Sequence, residues 1–255
     1  MSKKASTDRS ARGREVTISR PDKELWPGTT KQDYAEYLRA VSEDMLPWLH
    51  ERPLTMVRAP DGVGGERYYQ KAAPTYAPSW IKTTRIPAPS AKRDVDYVVC
   101  QDLPTLTWLG NQAVVEFHPA PVRRDRLVRP DLLVMDIDPP EGEFEMAVEV
   151  AFLVVEVLDD LGLPTGIKTT GGKGLHVVVP IERRMDQSAL RGAVARLTEI
   201  VVERRPDLVT DAFRKVKREG RVMLDPSRNG TGATIVALYS PRARADAAVS
   251  FPVAV

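Results

Sequence analysis

The chain has 255 residues, 42% hydrophobic and 28% charged, enough to bury a full core as one large domain or two closely packed modules. A formal net charge of +2 singles out no partner, no apolar stretch approaches the roughly 18–20 residues of a membrane span, and the start Met1-Ser2-Lys3-Lys4 lacks the apolar stretch of a secretory signal. The lone Cys100 excludes an internal disulfide and a thiolate-rich zinc site, and fits a reducing cytosol.

Lys3, Lys4, Arg9, Arg12 and Arg14 make residues 1–15 a basic tail, either a solvated terminus or a nucleic-acid arm, ahead of a folded domain over 16–255. Val16 to Ile18 reads as a short strand and Pro21 to Pro27 as a turn-rich segment. Thr29 or Thr30 can cap a helix with Tyr34, Tyr37, Leu38, Val41 and Met45 at helical spacing until Pro47 interrupts it. Strands are predicted at Leu54 to Arg58, Arg67 to Lys71 and Asp96 to Cys100, with a Gly-rich turn over 61–65 and a proline-rich loop from Pro74 to Pro89. Ala113 to Phe117 is a further strand that ends at His118. Next come a strand from Leu132 that closes on Asp136 and Asp138, and a long helix whose Phe144, Val148, Phe152, Val155 and Leu158 follow the 3.6 period until Gly162. Gly166 to Thr169 and Leu175 to Pro180 are strands joined by a Gly-rich turn. A second long helix covers Gln187 to Arg204, a strand Val222 to Leu224 ends in Asp225, and Ala233 to Tyr239 is the last strand before Arg242 and Arg244. Strands dominate the first half and alternate with helices in the second, which predicts an α/β or α+β fold of two packed β-sheet modules flanked by helices.

Alternation along a strand points Asp136 and Asp138 to one side. Two like charges so close repel unless a cation lies between them, so the pair reads as half of a divalent-metal site, with Asp225 at the end of a second apolar run as the third carboxylate. Three strand-end carboxylates around Mg²⁺ or Mn²⁺ point to phosphoryl or nucleotidyl transfer. The turn Thr170-Gly171-Gly172-Lys173-Gly174, followed by His176, lets backbone N–H groups converge on an anion. It is not a P-loop, because Gly174 opens no helix and the Gly-Lys-Ser/Thr ending is absent. Arg214, Lys215, Lys217, Arg218, Arg221 and Arg228 crowd the approach to Asp225, where an anionic substrate is expected. A strand ending in Asp-x-Asp also describes a haloacid-dehalogenase-type phosphatase, although Pro139 fits that reading badly, and a non-catalytic module that binds DNA ends is a second alternative.

Together these segments resemble the polymerase domain of bacterial ligase D, a member of the archaeo-eukaryotic primase superfamily. The resemblance runs from Asp22-Lys23-Glu24-Leu25-Trp26-Pro27 through Arg52-Pro53-Leu54, Gly64 to Lys71, Val115-Glu116-Phe117-His118-Pro119, Asp136-Ile137-Asp138-Pro139 and Thr170 to His176. It ends with Leu224-Asp225-Pro226-Ser227-Arg228-Asn229 and Tyr239 to Arg244. It implies a primase-type catalytic core in which Asp136, Asp138 and Asp225 hold two metal ions. It also implies that His118, Thr170, Lys173, His176, Arg218, Arg228, Arg242 and Arg244 contact the nucleotide. Lys23 and Lys31 would receive the 5′-phosphate across a gap, and of Tyr68 and Tyr69 one would stack on a template base while the other packs inward. The implied substrates are NTPs or dNTPs with a ribonucleotide preference, the implied partners gapped or broken DNA, Ku and a DNA ligase, and the implied setting a monomer at the nucleoid. The chain departs from the family's usual pattern at Thr170, where serine is common, at Ala120 and at Pro226-Ser227. With no ligase or nuclease segment, it would be a stand-alone polymerase or an excised domain.

Overall fold

The computed structural model of the chain describes residues 14–88 and 93–253, so the expected basic tail lies outside the described residues except for Arg14 and Glu15. Val16 to Ile18 forms no strand with any of the described residues. The segment read as turns instead holds a small hairpin, β1 (Glu24–Trp26) against β2 (Thr29–Thr30). Thr30 then caps α1 (Lys31–Ala40) with a reciprocal box, its hydroxyl meeting the Asp33 N–H while the Asp33 carboxylate accepts from Thr30. The expected single helix is two, because α1 stops at Val41 and α2 (Ser42–Leu49) follows with Pro47 inside it. Pro47 lies on the exposed side, so the carbonyl it deprives of a donor can reach water and the helix survives.

Next come β3 (Leu54–Arg58), β4 (Tyr68–Gln70), β5 (Thr83–Ala88), β6 (Arg93–Val98), α3 (Leu103–Asn111) and β7 (Val114–Pro119). Two of these elements were not expected. β5 lies inside the proline-rich stretch and tolerates Pro87 because it is an edge strand, paired only with β6. α3 is buried on nearly all sides from Thr105 to Gly110, so it has no amphipathic period to read, although its Asp102 cap and Pro104 are ordinary start signals. Gly110 lets α3 approach α1, since a Cβ there would sit 2.6 Å from the Leu38 side chain. These strands form a five-stranded sheet in the order β4-β3-β6-β5, with β7 also on β3. Its core holds Tyr34, Leu38, Met45, Leu106 and Phe117.

The second half supplies β8 (Leu132–Asp138), α4 (Phe144–Asp159), β9 (Gly166–Thr169), β10 (Leu175–Pro180), α5 (Gln187–Arg204), β11 (Val209–Thr210), β12 (Val222–Asp225) and β13 (Pro252–Val253). Their sheet has the order β11-β12-β8-β10-β9-β13. α4 and α5 cover one face of it, burying Val150, Val154, Leu190 and Val194 against Leu133, Met135, Ile137, Val177 and Leu224. α4 turns a different side inward from the one its period suggested: Ala147, Val150, Ala151 and Val154 are buried while Phe144 and Phe152 are exposed. The helix is apolar nearly all round, so its period does not define a face. The expected strand over 233–239 is not a regular one. Ala233 to Ala237 runs extended along β7, with Ile235 and Ala237 donating to the carbonyls of Pro119 and Phe117, and so ties the two sheets together.

Candidate active site

With Leu133, Met135 and Ile137 turned to the helices, alternation sends Asp136 and Asp138 to the opposite face of β8. The same logic places His176 on that face of β10 and Asp225 on that face of β12. Register then does what sequence alone cannot: His176 and Asp225 each stand directly opposite Asp136, on the two neighbouring strands. Tyr69 and His118 approach from the five-stranded sheet, their rings 6.4 Å apart. Between the sheets is a pocket of about 600 Å³ lined by the three acids, Thr170, Lys173, His176, Arg218, Arg228, Arg242, Arg244, Tyr69 and His118. Phe213, 78% exposed, also lines it and was not singled out in the sequence.

Protein cations already neutralise two of the three acids of this pocket. Arg228 Nε donates to Asp136 at 2.8 Å and the His176 imidazole lies 3.3 Å from the same carboxylate. Arg218 and Lys173 grip Asp138 at 2.7 and 2.9 Å, and Lys173 also donates to the Pro139 carbonyl. Asp225 accepts from the Ser227 N–H and hydroxyl. All three carboxylates thus line one pocket, with Asp136 and Asp138 held by side chains of the protein itself. Among the described residues, no three His, Cys, Asp or Glu side chains converge as a metal-ligand group. The oxygen-only donor set of Asp136, Asp138 and Asp225 nevertheless suits a hard divalent ion once Arg228, Arg218 and Lys173 turn to other anions.

Burial pushes the Asp136 carboxyl up, but His176 and Arg228 outweigh it and hold the group at about 2. His176 is fully buried, and burial together with the Lys168 charge brings it down to about 4, so at neutral pH its ring is uncharged. Its Nε2 faces Asp136 at 3.3 Å, and its Nδ1 is buried without a hydrogen-bond partner. Lys168 faces His176 from β9, donates to Ser250 Oγ at 2.9 Å, and is lowered by burial to about 7.

The Gly-rich turn differs from the expected cradle. Thr170 Oγ1 donates to the Gly174 carbonyl and accepts from the Gly172 and Gly174 N–H groups, so two of the turn's amides point at its own hydroxyl. Gly174 is obligatory here for steric reasons, since a Cβ would lie 2.2 Å from the Ile137 carbonyl oxygen. Gly171, at φ +64°, leaves room for Arg242, which donates to the Thr170 carbonyl.

Tyr68 and Tyr69 do project to opposite faces of β4, yet neither packs inward: they are 40% and 73% exposed, because β4 is an edge strand. Tyr68 lies under the Arg58 guanidinium, 5.7 Å from its ring centre, on the side away from the large pocket. Lys23 and Lys31 line a second, smaller pocket with Ser19, Arg20 and Arg58. Lys31 is 6% exposed and donates to the Ser19 carbonyl and hydroxyl at 2.8 and 3.0 Å. Lys23 pairs with the exposed Asp61.

A family model for the LigD primase-polymerase domain matches residues 30–255. The multifunctional non-homologous end joining protein LigD of Pseudomonas aeruginosa is 33% identical over 242 residues, which are 93% of this chain and 28% of that protein. The bifunctional non-homologous end joining protein LigD of Bacillus subtilis is 31% identical over 225 residues, 88% of this chain and 36% of that protein. A solved structure described as the polymerase domain from Mycobacterium tuberculosis ligase D in complex with DNA is similar with a TM-score of 0.88 and 30% identity, covering 94% of this chain and 87% of that one. The chain spans about a third of the length of the curated relatives it matches.

Proposed function

The chain belongs to the LigD primase-polymerase family of nucleotidyltransferases, and from that premise we propose that it extends a DNA primer by one or a few nucleotides, ribonucleotides preferred, at gaps or broken ends. The observation that carries this reading is the single pocket in which Asp136, Asp138 and Asp225 meet the cations Arg228, Arg218 and Lys173 between the two sheets. Those two sheets act as one catalytic unit over 16–255. The phosphatase alternative finds no support in this family.

Asp136, Asp138 and Asp225 would hold two Mg²⁺ or Mn²⁺ ions, which when bound supply charge neutralisation at the triphosphate and acidify a primer 3′-hydroxyl. The chain's own groups do the rest. On nucleotide entry Arg228, Arg218 and Lys173 exchange their carboxylate partners for phosphate oxygens, for which the planar guanidinium fork is suited. Arg242 and Arg244 face the phosphates from the other side. His176, uncharged, keeps Asp136 oriented through its Nε2–H, and Thr170 shapes the turn that carries Lys173. His118 faces the sugar. Tyr69 stacks on a template base, worth about 1–3 kcal/mol, while Tyr68 braces Arg58 beside the smaller pocket. There Lys23 and Lys31 take the 5′-phosphate of the downstream strand.

Among the described residues no helix is long and apolar enough to cross a membrane. We place the protein at the nucleoid in the cytoplasm, as a monomer that works with Ku and a DNA ligase. The deciding experiment supplies a gapped, 5′-phosphorylated primer-template with Mn²⁺ and either NTPs or dNTPs. Incorporation that Asp136→Ala and Asp225→Ala each abolish supports the reading. DNA binding without incorporation by the unaltered protein would leave only an end-binding module.

A further inference from the structure

Glu116 lies on β7, inside an otherwise apolar run, and is 6% exposed. A carboxylate there must be compensated or it would cost several kcal/mol. Its partners are specific. Oε1 accepts from the Ala243 N–H at 2.8 Å, and Oε2 meets His118 Nε2 at 2.7 Å. Arg242 Nε lies 3.3 Å from Oε2, an ionic contact whose N–H is not aimed at the oxygen. Burial pushes the Glu116 carboxyl up, but the His118 and Ala243 hydrogen bonds and the Arg242 charge outweigh it and keep the group ionised. His118, two residues along the same strand, shares the face of Glu116, while Val115 and Phe117 point into the core. The ring of His118 and the side chain of Arg242 both line the large pocket, and Glu116 stands behind them.

We propose that Glu116 is a positioning residue for the nucleotide, one buried carboxylate that presents a sugar-facing imidazole and a phosphate-facing guanidinium as a single rigid unit. The proposal rests on reading the large pocket as a nucleotide site. An ionised carboxylate only accepts, so it fixes the proton of His118 on Nε2. In that tautomer Nδ1 is a lone-pair acceptor, and among the described residues it has no protein hydrogen bond, which suits it to a sugar hydroxyl. The same carboxylate, through the Ala243 N–H, anchors the backbone next to Arg242 and so spaces the two contacts.

The substitution Glu116→Gln keeps the volume but removes the charge, and its amide can donate as well as accept. The measurements are ¹⁵N-resolved NMR of the His118 tautomer in the free protein and equilibrium titration with ATP and Mn²⁺, followed by steady-state kinetics on a gapped primer-template. The expected result is an Nε2–H ring in the unaltered protein, a mixed or inverted tautomer in the variant, and a KM for ATP raised about fivefold to tenfold with kcat within about twofold, the loss of one or two oriented hydrogen bonds. In a His118→Ala background the substitution should cost at most about twofold more, because part of the unit is already gone. A merely structural Glu116 would lower kcat with the fraction of folded protein and leave KM alone, and that outcome overturns the proposal. So does an Nδ1–H ring in the unaltered protein, a result that does not depend on the variant folding. If the unaltered protein fails to bind ATP, the nucleotide reading of the pocket falls. If it binds ATP and Glu116→Gln binds equally well, only the role of Glu116 falls.

Discussion

Two charged pockets of this molecule, the large one between the sheets and the small one beside Lys31, treat their cations in opposite ways. In the large pocket each catalytic-type carboxylate on β8 has its own cation, Arg228 on Asp136 and Arg218 with Lys173 on Asp138. In the small pocket Lys31 is nearly buried against neutral oxygens of Ser19, with Arg20 and Lys23 close by and Asp61 as the counter-charge of Lys23. Burial, and then the repulsion of Arg20 and Lys23, lower the Lys31 ammonium below its ordinary value. Under the proposed function the difference separates two kinds of anion site. A pocket whose charges already compensate one another binds by exchanging partners, whereas one with uncompensated positive charge is set in advance for a fixed anion.

The largest break in this comparison should come from Gly174→Ala. Its Cβ would collide with the Ile137 carbonyl between the two acids, so a loss of about 2–4 kcal/mol in unfolding free energy is expected, with activity falling further than stability. Denaturant melts read alongside gap-filling rates check it. An unchanged midpoint would mean the turn and β8 are not tightly apposed.

Next in size is a pH effect confined to the large pocket. His176 is lowered to about 4 in the folded chain from its ordinary value of 6.5, so between those values the unfolded state takes up a proton that the folded state refuses. Stability is therefore lost as pH falls from 6.5 to 4, by on the order of 3 kcal/mol. His176→Gln should flatten that part of the stability profile.

At the small pocket, Lys31→Ala should weaken binding of gapped DNA about tenfold when the downstream strand carries a 5′-phosphate, and hardly at all when it ends in a hydroxyl. Equal weakening of the two substrates would reject a phosphate role. The smallest effect tests the exchange idea itself. Arg228→Met frees Asp136 of its guanidinium, so Mn²⁺ should bind the nucleotide-free protein a few-fold more tightly, as followed by titration calorimetry. Weaker binding would mean that Arg228 helps to build the site even when no nucleotide is present.

Local pattern alone placed Asp136 and Asp138 on one side of a strand, because two-residue periodicity is a property of the extended backbone. It also marked the turn 170–174, the helix Gln187–Arg204 and a cap at Thr29 or Thr30, of which Thr30 is the one used, each signalled by local residues. Where a segment is apolar on every side the pattern loses its direction. That is why α3 was not expected and why the exposed side of α4 was misjudged. Pro87 and Pro47 misled for a related reason: whether proline is tolerated depends on which backbone groups face solvent, and that is settled by neighbours distant in sequence.

The amino-acid order thus determined which side chains share a strand face and where the chain turns, since both follow from backbone geometry within a few residues. Only the tertiary structure decided that Asp225 stands opposite Asp136, that Arg228 and Arg218 hold the acids, and that Glu116 meets Arg242 from the far end of the chain. Strand register and long-range charge pairing depend on the packing of whole sheets and helices, whose contributions are spread over the core and absent from any short stretch of sequence.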